Sequence, residues 1–297
     1  MKILIIGSKG FIGGHALNYF RAHYSDVYGC DVVPDYVDKQ YFTIDSSSSH
    51  FDTCFKAVRF DVCINCSGAA SVPDSLSNPL RDFYLNTKNV FSILDTIHRL
   101  NPECKFVNLS SAAVYGNPIE LPVTEDQALE PVSPYGRHKL MAEEICKEFY
   151  TFFGIQTLSL RIFSAYGPGL KKQLLWDLFQ KAQEDRVSLF GTGEETRDFI
   201  YIDDLITALE LALDRAPFDG RAINLANGQQ IKIKNLVQQY YEILGYTGIV
   251  TFKGQNRTGD PLCWEADITQ LKALGYSPSV DLVQGISKYI QWVNADK

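Results

Sequence analysis

The chain has 297 residues, 28 Lys plus Arg against 35 Asp plus Glu for a net charge of −7, and 45% apolar residues. This is an ordinary globular composition, long enough to bury a large core in one large domain or two modest ones, and it excludes disordered, collagen-like and coiled-coil classes. The acidic balance argues against a general nucleic-acid binder, so any anionic ligand has to be held by a local cluster of cations or by helix ends.

Taken in chain order, short β-branched runs alternate with longer helical stretches. Residues 2–6 read as a strand, 11–24 as a helix, and 26–30 and 41–44 as further strands. A short serine loop at 46–49 precedes a strand at 60–66, a helical stretch at 79–100 and a fifth strand at 105–109. Several of these strands are apolar throughout rather than alternating, as expected when helices cover both faces of a parallel sheet. The pattern predicts right-handed βαβ units and a doubly wound α/β fold, with no internal repeat. After about residue 165 the texture changes. Gly167-Pro168-Gly169 is followed by helical stretches at about 172–185, 204–215, 232–244 and 281–294, with only short strands between. The expected division is a dinucleotide-binding domain over 1–165 and a smaller, mostly helical lobe over 166–297, with residues 224–226 able to return to the main sheet.

No apolar run approaches the roughly 18 residues of a membrane span, and residues 3–6 before Gly7 are too few for a signal-peptide core. Seven scattered cysteines do not suggest a disulfide framework, which points to a reducing cytosol. Cys63 and Cys66 form a CxxC, but no second pair completes a zinc site, and their apolar surroundings read as a buried strand.

Gly7, Gly10 and Gly13 are spaced G-x-x-G-x-x-G between the first strand and the first helix. Glycines let the backbone approach a pyrophosphate closely, and the helix start offers free N–H groups. Alone, such a pattern is also what a tight strand-to-helix turn needs. Here an acid, Asp31, follows at the end of the second strand, eighteen residues beyond Gly13. A carboxylate there accepts hydrogen bonds from ribose hydroxyls and repels a 2′-phosphate, which favours NAD over NADP.

Ser133 and Pro134 read as the cap and first position of a helix. Tyr135 and Lys139 are then four residues apart on one helical face, where an ammonium is expected to lower the phenol's pKa. Such a Tyr can take a proton from a substrate hydroxyl while hydride leaves the same carbon. Tyr-x-x-x-Lys by itself is equally a surface helix. The Ser110-Ser111 pair ends the fifth strand, where open α/β sheets bind ligands, although a serine pair can also simply start a turn.

With these residues the sequence resembles the extended short-chain dehydrogenase/reductases, specifically the NAD-dependent epimerase/dehydratase group that acts on nucleotide sugars. The resemblance runs nearly end to end. It is carried by the glycine motif, Asp31, the stretch 110–116 (SSAAVYG), Tyr135 with Lys139, 161–167 (RIFSAYG), 197–204 (RDFIYIDD) and 257–260 (RTGD). It implies a catalytic set of Ser111, Tyr135 and Lys139. It implies NAD held by the glycine turn with Phe11 and Ile12, by Asp31, by Asp45 at the adenine, by Ser67, Gly68 and Ala69 in the loop 65–70, and by Asn86. It implies a nucleotide-sugar diphosphate gripped by Arg197 and Arg257, with Gln173 and Leu174 at the base. Guanidinium forks suit phosphate oxygens. The chain departs from the family at Ser164, where an Asn normally contacts the diphosphate, and at Asn65, which replaces a frequent His. Trp264 falls where the family gates the sugar pocket, and its bulk would disfavour N-acetylated sugars unless it is simply core.

Related 4,6-dehydratases carry an Asp-Glu pair after the active-site hydroxyl, because elimination of water needs an acid and a base. This chain has Ala112 and Ala113 there. The leading expectation is therefore a nucleotide-sugar 4-epimerase passing through a 4-keto sugar. A 4-ketosugar reductase is the alternative, and a binding protein that has lost catalysis a third reading. The resemblance further implies a cytoplasmic homodimer formed through the helices at 79–100 and 134–153, a UDP-sugar as substrate, no nucleic-acid or membrane partner, and a place in polysaccharide biosynthesis.

Overall fold

Residues 3–6 are Ile, Leu, Ile and Ile, and all four are buried. Successive strand side chains face opposite ways, so such a run needs an apolar partner on each face of its sheet. The computed structural model, which describes residues 1–45, 50–255 and 259–295, shows both partners. Ile3 and Ile5 pack with Leu17 and Phe20 of one helix layer, while Leu4 and Ile6 pack with Ile93, Leu94 and Phe149 of the other.

The strands are β1 (Lys2–Ile6), β2 (Asp26–Asp31), β3 (Tyr41–Thr43), β4 (Val62–Asn65), β5 (Lys105–Ser111), β6 (Thr157–Ile162), β7 (Ser164–Tyr166), β8 (Arg186–Leu189), β9 (Thr196–Arg197), β10 (Phe199–Tyr201), β11 (Ala222–Leu225), β12 (Ile231–Lys232) and β13 (Ile249–Phe252). Seven of them form one parallel sheet in the order β11-β6-β5-β4-β1-β2-β3. Strand order reverses between β1 and β4, which opens a crevice at the carboxyl ends of these strands. The flanking helices are α1 (Phe11–His23), α2 (Asp52–Ala57), α3 (Val72–Ser77), α4 (Pro79–Phe83), α5 (Asn89–Leu100) and α6 (Pro134–Phe153). The later helices are α7 (Gln173–Lys181), α8 (Ile202–Arg215), α9 (Ile233–Leu244), α10 (Thr269–Ala273) and α11 (Leu282–Ala295).

Two sequence expectations change. The stretch 79–100 is not one helix: a π-helical turn, Tyr84–Lys88, separates α4 from α5. The wider turn points Asn86 and Thr87 into the protein, where both are almost fully buried. Such π turns gather at functional sites because they re-aim one residue. Strand β6 is absent from the sequence reading, since Ser159 and Arg161 make TLSLRI look half-exposed. In the fold all six residues are buried. Arg161 is neutralised by Glu143, which it meets at 2.8 Å, and its Nη1 donates to the Tyr115 hydroxyl at 2.8 Å. The main sheet takes in β11, beside β6, and α8 packs on α1.

Candidate active site

The first turn is built by close backbone approach. Gly7 has φ +80°, and a Cβ added to it would lie 2.6 Å from the Ser67 nitrogen. A Cβ on Gly13 would fall 2.1 Å from the Gly7 carbonyl oxygen, so α1 meets β1 more closely than any side chain permits. Gly10 caps α1 with no side-chain hydrogen bond, leaving the first-turn amides of Phe11 and Ile12 facing the crevice end of the sheet. Asp31 closes β2. Its carboxylate accepts from the backbone N–H of Lys9 at 2.9 Å and of Val32 at 2.7 Å, which fixes the acid against the glycine turn. Asp45 is exposed just beyond β3.

Across the crevice, the loop after β4 carries Ser67, Gly68 and Ala69. Gly68 has φ +133°, and a Cβ there would stand 2.6 Å from Asn86 Oδ1 and 3.5 Å from Lys139 Nζ. Asn86 Nδ2 donates to Asp82 Oδ1 at 3.1 Å, which leaves Oδ1 buried and without a partner among the described residues. Asp82 is itself buried and meets His138 Nδ1 at 2.6 Å. This Asp82–His138 pair behind the site went unread in the sequence. Its signals were Asp82 four residues before Asn86, and His138 beside Lys139.

The third group centres on α6. Ser133 caps the helix by accepting from the Gly136 N–H at 3.1 Å, and Pro134 takes the first position, as expected. Tyr135 and Lys139 are both buried, and the Ser111 hydroxyl at the end of β5 lies near enough to the Tyr135 phenol to favour its phenolate. Ser110 points the other way and donates to Glu143 at 2.5 Å, so only one serine of the pair belongs to the site. Ala112 and Ala113 follow in a short 3-10 turn, whose Ala113 N–H donates to Ser111 Oγ at 3.2 Å.

The expected lowering of the Tyr135 pKa is not found. Burial pushes the phenol up to about 12; the Ser111 hydroxyl opposes this, and the nearby Asp82 carboxylate adds to it. Lys139 is buried as well: desolvation pulls its ammonium down to about 8, and its Nζ donates to the Leu109 carbonyl at 2.8 Å. Desolvation of the phenol outweighs the opposing Ser111 contact.

On the lobe side, Ser164 opens β7, Gln173 and Leu174 open α7 with Gln173 at φ +66°, and Arg197 ends β9. Arg197 donates through Nη1 to the Thr196 and Leu262 carbonyls and lies over the Trp264 ring. Trp264 is buried against Phe163. Two acids of the 197–204 motif prove structural. Asp198 accepts N–H groups of Asn227, Gly228, Gln229 and Ala266, and Asp204 those of Ser279 and Val280. Arg257 lies outside the described residues.

Comparison with known proteins agrees with this geometry. The chain matches the NAD dependent epimerase/dehydratase family over residues 3–226, and it belongs to that family. It is 26% identical over 98% of both chains to a putative UDP-glucose 4-epimerase of Methanocaldococcus jannaschii. It is 26% identical to UDP-glucuronate 4-epimerase 4 of Arabidopsis thaliana over 98% of this chain and 75% of that protein. Among solved structures, the UDP-glucuronic acid 4-epimerase of Bacillus cereus with UDP-glucuronic acid and NAD superposes with a TM-score of 0.91, at 26% identity over the whole of both chains. The UDP-glucose 4-epimerase of Thermotoga maritima superposes at 0.90 and 25% identity, over 100% of this chain and 99% of that one.

The residues fit the family's NAD. The glycine turn brings backbone close to backbone with no Cβ at Gly7, Gly10 or Gly13 to cover the first-turn amides of α1, Asp31 stands where β2 ends, and the orphaned Asn86 Oδ1 is a buried acceptor awaiting a donor. Asp31→Ala is expected to narrow the preference for NAD over NADP by tenfold or more, because one negative charge no longer faces the 2′-phosphate. Equilibrium titration of both dinucleotides checks this, and an unchanged ratio would mean that the ribose is held elsewhere.

Proposed function

We propose that this chain is an NAD-dependent nucleotide-sugar 4-epimerase, with Ser111, Tyr135 and Lys139 as its catalytic residues. The observation that carries the reading is the gathering of the Ser111 hydroxyl beside the Tyr135 phenol and of the Lys139 ammonium beside Gly68 and Asn86, with no proton-transferring side chain at 112 or 113.

When bound, NAD+ supplies a reversible hydride acceptor and a positive charge. The chain's own residues handle the proton and the substrate. Tyr135 takes the C4 hydroxyl proton through its phenolic oxygen as C4 becomes a carbonyl. Ser111 Oγ holds that oxygen in line. Lys139 steadies the phenolate. Arg197, and Arg257 by family resemblance, keep the diphosphate fixed while the sugar ring turns over, so that the opposite face of C4 is open to the returning hydride when Tyr135 gives the proton back to the C4 oxygen. Proton and hydride both come back to the sugar, and no net oxidation occurs. Ala112 and Ala113 cannot supply the second acid–base pair that loss of water requires.

UDP is the preferred nucleotide in this reading, because the relatives described above are named for UDP-sugars. Homodimerisation is supported by large apolar side chains left exposed on these helices: Leu80 on α4, Tyr84 in the π turn, Phe91 on α5, and Met141 and Phe152 on α6. The cysteines are all free and mostly buried, as suits a cytoplasmic protein. A role in carbohydrate metabolism, polysaccharide biosynthesis included, follows from such a substrate.

The test is a panel of UDP-, dTDP-, GDP- and CDP-sugars with and without NADH. Inversion at C4 without NADH consumption is expected. Stoichiometric NADH oxidation on a 4-keto substrate would favour the ketoreductase instead.

A further inference from the structure

We infer that Trp264 is a positioning residue for the phosphate grip: its indole face sets the plane of the Arg197 guanidinium and aims the free edge of that group at the ligand. The inference rests on the reading of Arg197 as a diphosphate clamp.

Trp264 is pinned on three sides. Its Nε1–H donates to the Gly116 carbonyl at 3.1 Å, its backbone N–H donates to the Thr196 carbonyl at 3.2 Å, and its ring meets Phe163 edge-on at 5.8 Å. The Gly116 acceptor is equally fixed. Gly116 has φ +65°, and a Cβ there would lie 2.0 Å from the Glu130 carbonyl oxygen, so only glycine takes this position. Gly116 also ends the stretch that begins with Ser111. The indole therefore ties the lobe strand carrying Arg197 to the segment carrying the catalytic hydroxyl.

Arg197 Cζ lies 5.3 Å from the centre of this ring. Its Nη1 is occupied by the Thr196 and Leu262 carbonyls at 2.7 and 3.2 Å. Among the described residues, Nε and Nη2 make no hydrogen bond, and these two form the edge of the fork that matches a phosphate in bidentate fashion. With one nitrogen anchored and one face held against an aromatic plane, the guanidinium has little freedom left to lose when phosphate arrives. The indole thus acts on the affinity for the diphosphate, not on the reacting carbon.

The test uses the full chain and whichever of UDP, dTDP, GDP or CDP binds it most tightly, compared by calorimetry with the corresponding nucleoside. Trp264→Leu is expected to weaken the diphosphate about tenfold and the nucleoside less than twofold, and to raise KM more than it lowers kcat. Trp264→Phe, which keeps a flat face and the core volume more nearly, should recover most of the loss and covers the case in which the Leu variant folds poorly. In an Arg197→Ala background the Trp264 substitution should add nothing further. Equal weakening of diphosphate and nucleoside, an additive loss in the Arg197→Ala background, or a fall in kcat with diphosphate affinity intact would each overturn the proposal. If Arg197→Ala alone leaves diphosphate binding unchanged, or no nucleoside diphosphate binds, the clamp reading fails first, and the two failures are distinguishable.

Discussion

Tyr135→Phe is expected to lower kcat by about 10²- to 10⁴-fold, the range for loss of a positioned acid–base group, while nucleotide-sugar affinity stays within a few-fold. The change removes one oxygen from a side chain that is 9% exposed and leaves the ring in place, so folding should be nearly unaffected. The effect is large because of where the phenol sits. Burial raises its pKa to about 12, well above neutral pH. Only groups that favour the phenolate can bring it into range. In this chain those are the Ser111 hydroxyl, which already works in that direction, and the Lys139 ammonium once it is held charged. Activity should therefore rise with pH on its acid side, and Ser111→Ala should move that limb to higher pH. Steady-state kinetics with binding measured separately checks both statements. A Phe variant keeping more than a tenth of wild-type turnover would remove Tyr135 as the proton carrier.

Lys139→Met is expected to abolish turnover to a similar degree and yet to leave the cofactor-free protein as stable as wild type at pH 7, or more stable. Burial pulls the Lys139 pKa from 10.5 to about 8, so a charged ammonium is being kept in a place that disfavours it. A shift of this size corresponds to roughly 3 kcal/mol of folding free energy forgone wherever the lysine is charged in both states. Against this, Met leaves the Leu109 carbonyl without its donor, a loss of about 1–3 kcal/mol. The pH dependence has a definite sign. Between about 8 and 10.5 the unfolded lysine retains a proton that the folded one has released, so wild-type stability rises with pH through this window. The depressed group's contribution is fully present above 10.5 and is lost as pH falls through 8. The Met variant should lack that rise, and denaturant unfolding at pH 7 and pH 10 reads the difference directly. A wild-type protein stabilised by Lys139 at pH 7 by several kcal/mol would contradict the account. A residue that weakens the fold while serving the reaction is the usual mark of a functional site.

The particular residues show how far local sequence reaches. The run at 3–6, the glycine spacing from Gly7 to Gly13, the acid at Asp31 and the Ser133-Pro134 helix start are local instructions. Each works through the backbone or through neighbours a few residues away, so each could be read directly and placed the dinucleotide crevice and α6. The same holds for the four residues between Tyr135 and Lys139. Strand β6 escaped because its polar residues are satisfied from elsewhere in the chain, Arg161 by Glu143 on α6 and by Tyr115. The π turn escaped because nothing in its composition distinguishes it from helix, and its effect is only to turn Asn86 inward toward Gly68.

The amino-acid order by itself gave the doubly wound sheet, the glycine turn and the placing of Tyr135 and Lys139 on one helical face, since these follow from periodicity, capping and spacing along a single chain, while the catalytic roles came from the family resemblance. Tertiary structure alone decided how acidic that tyrosine is, which serine of the pair lies beside it, and what stands behind the arginine. Those outcomes depend on desolvation and on partners brought together from distant segments, and neither is encoded in spacing.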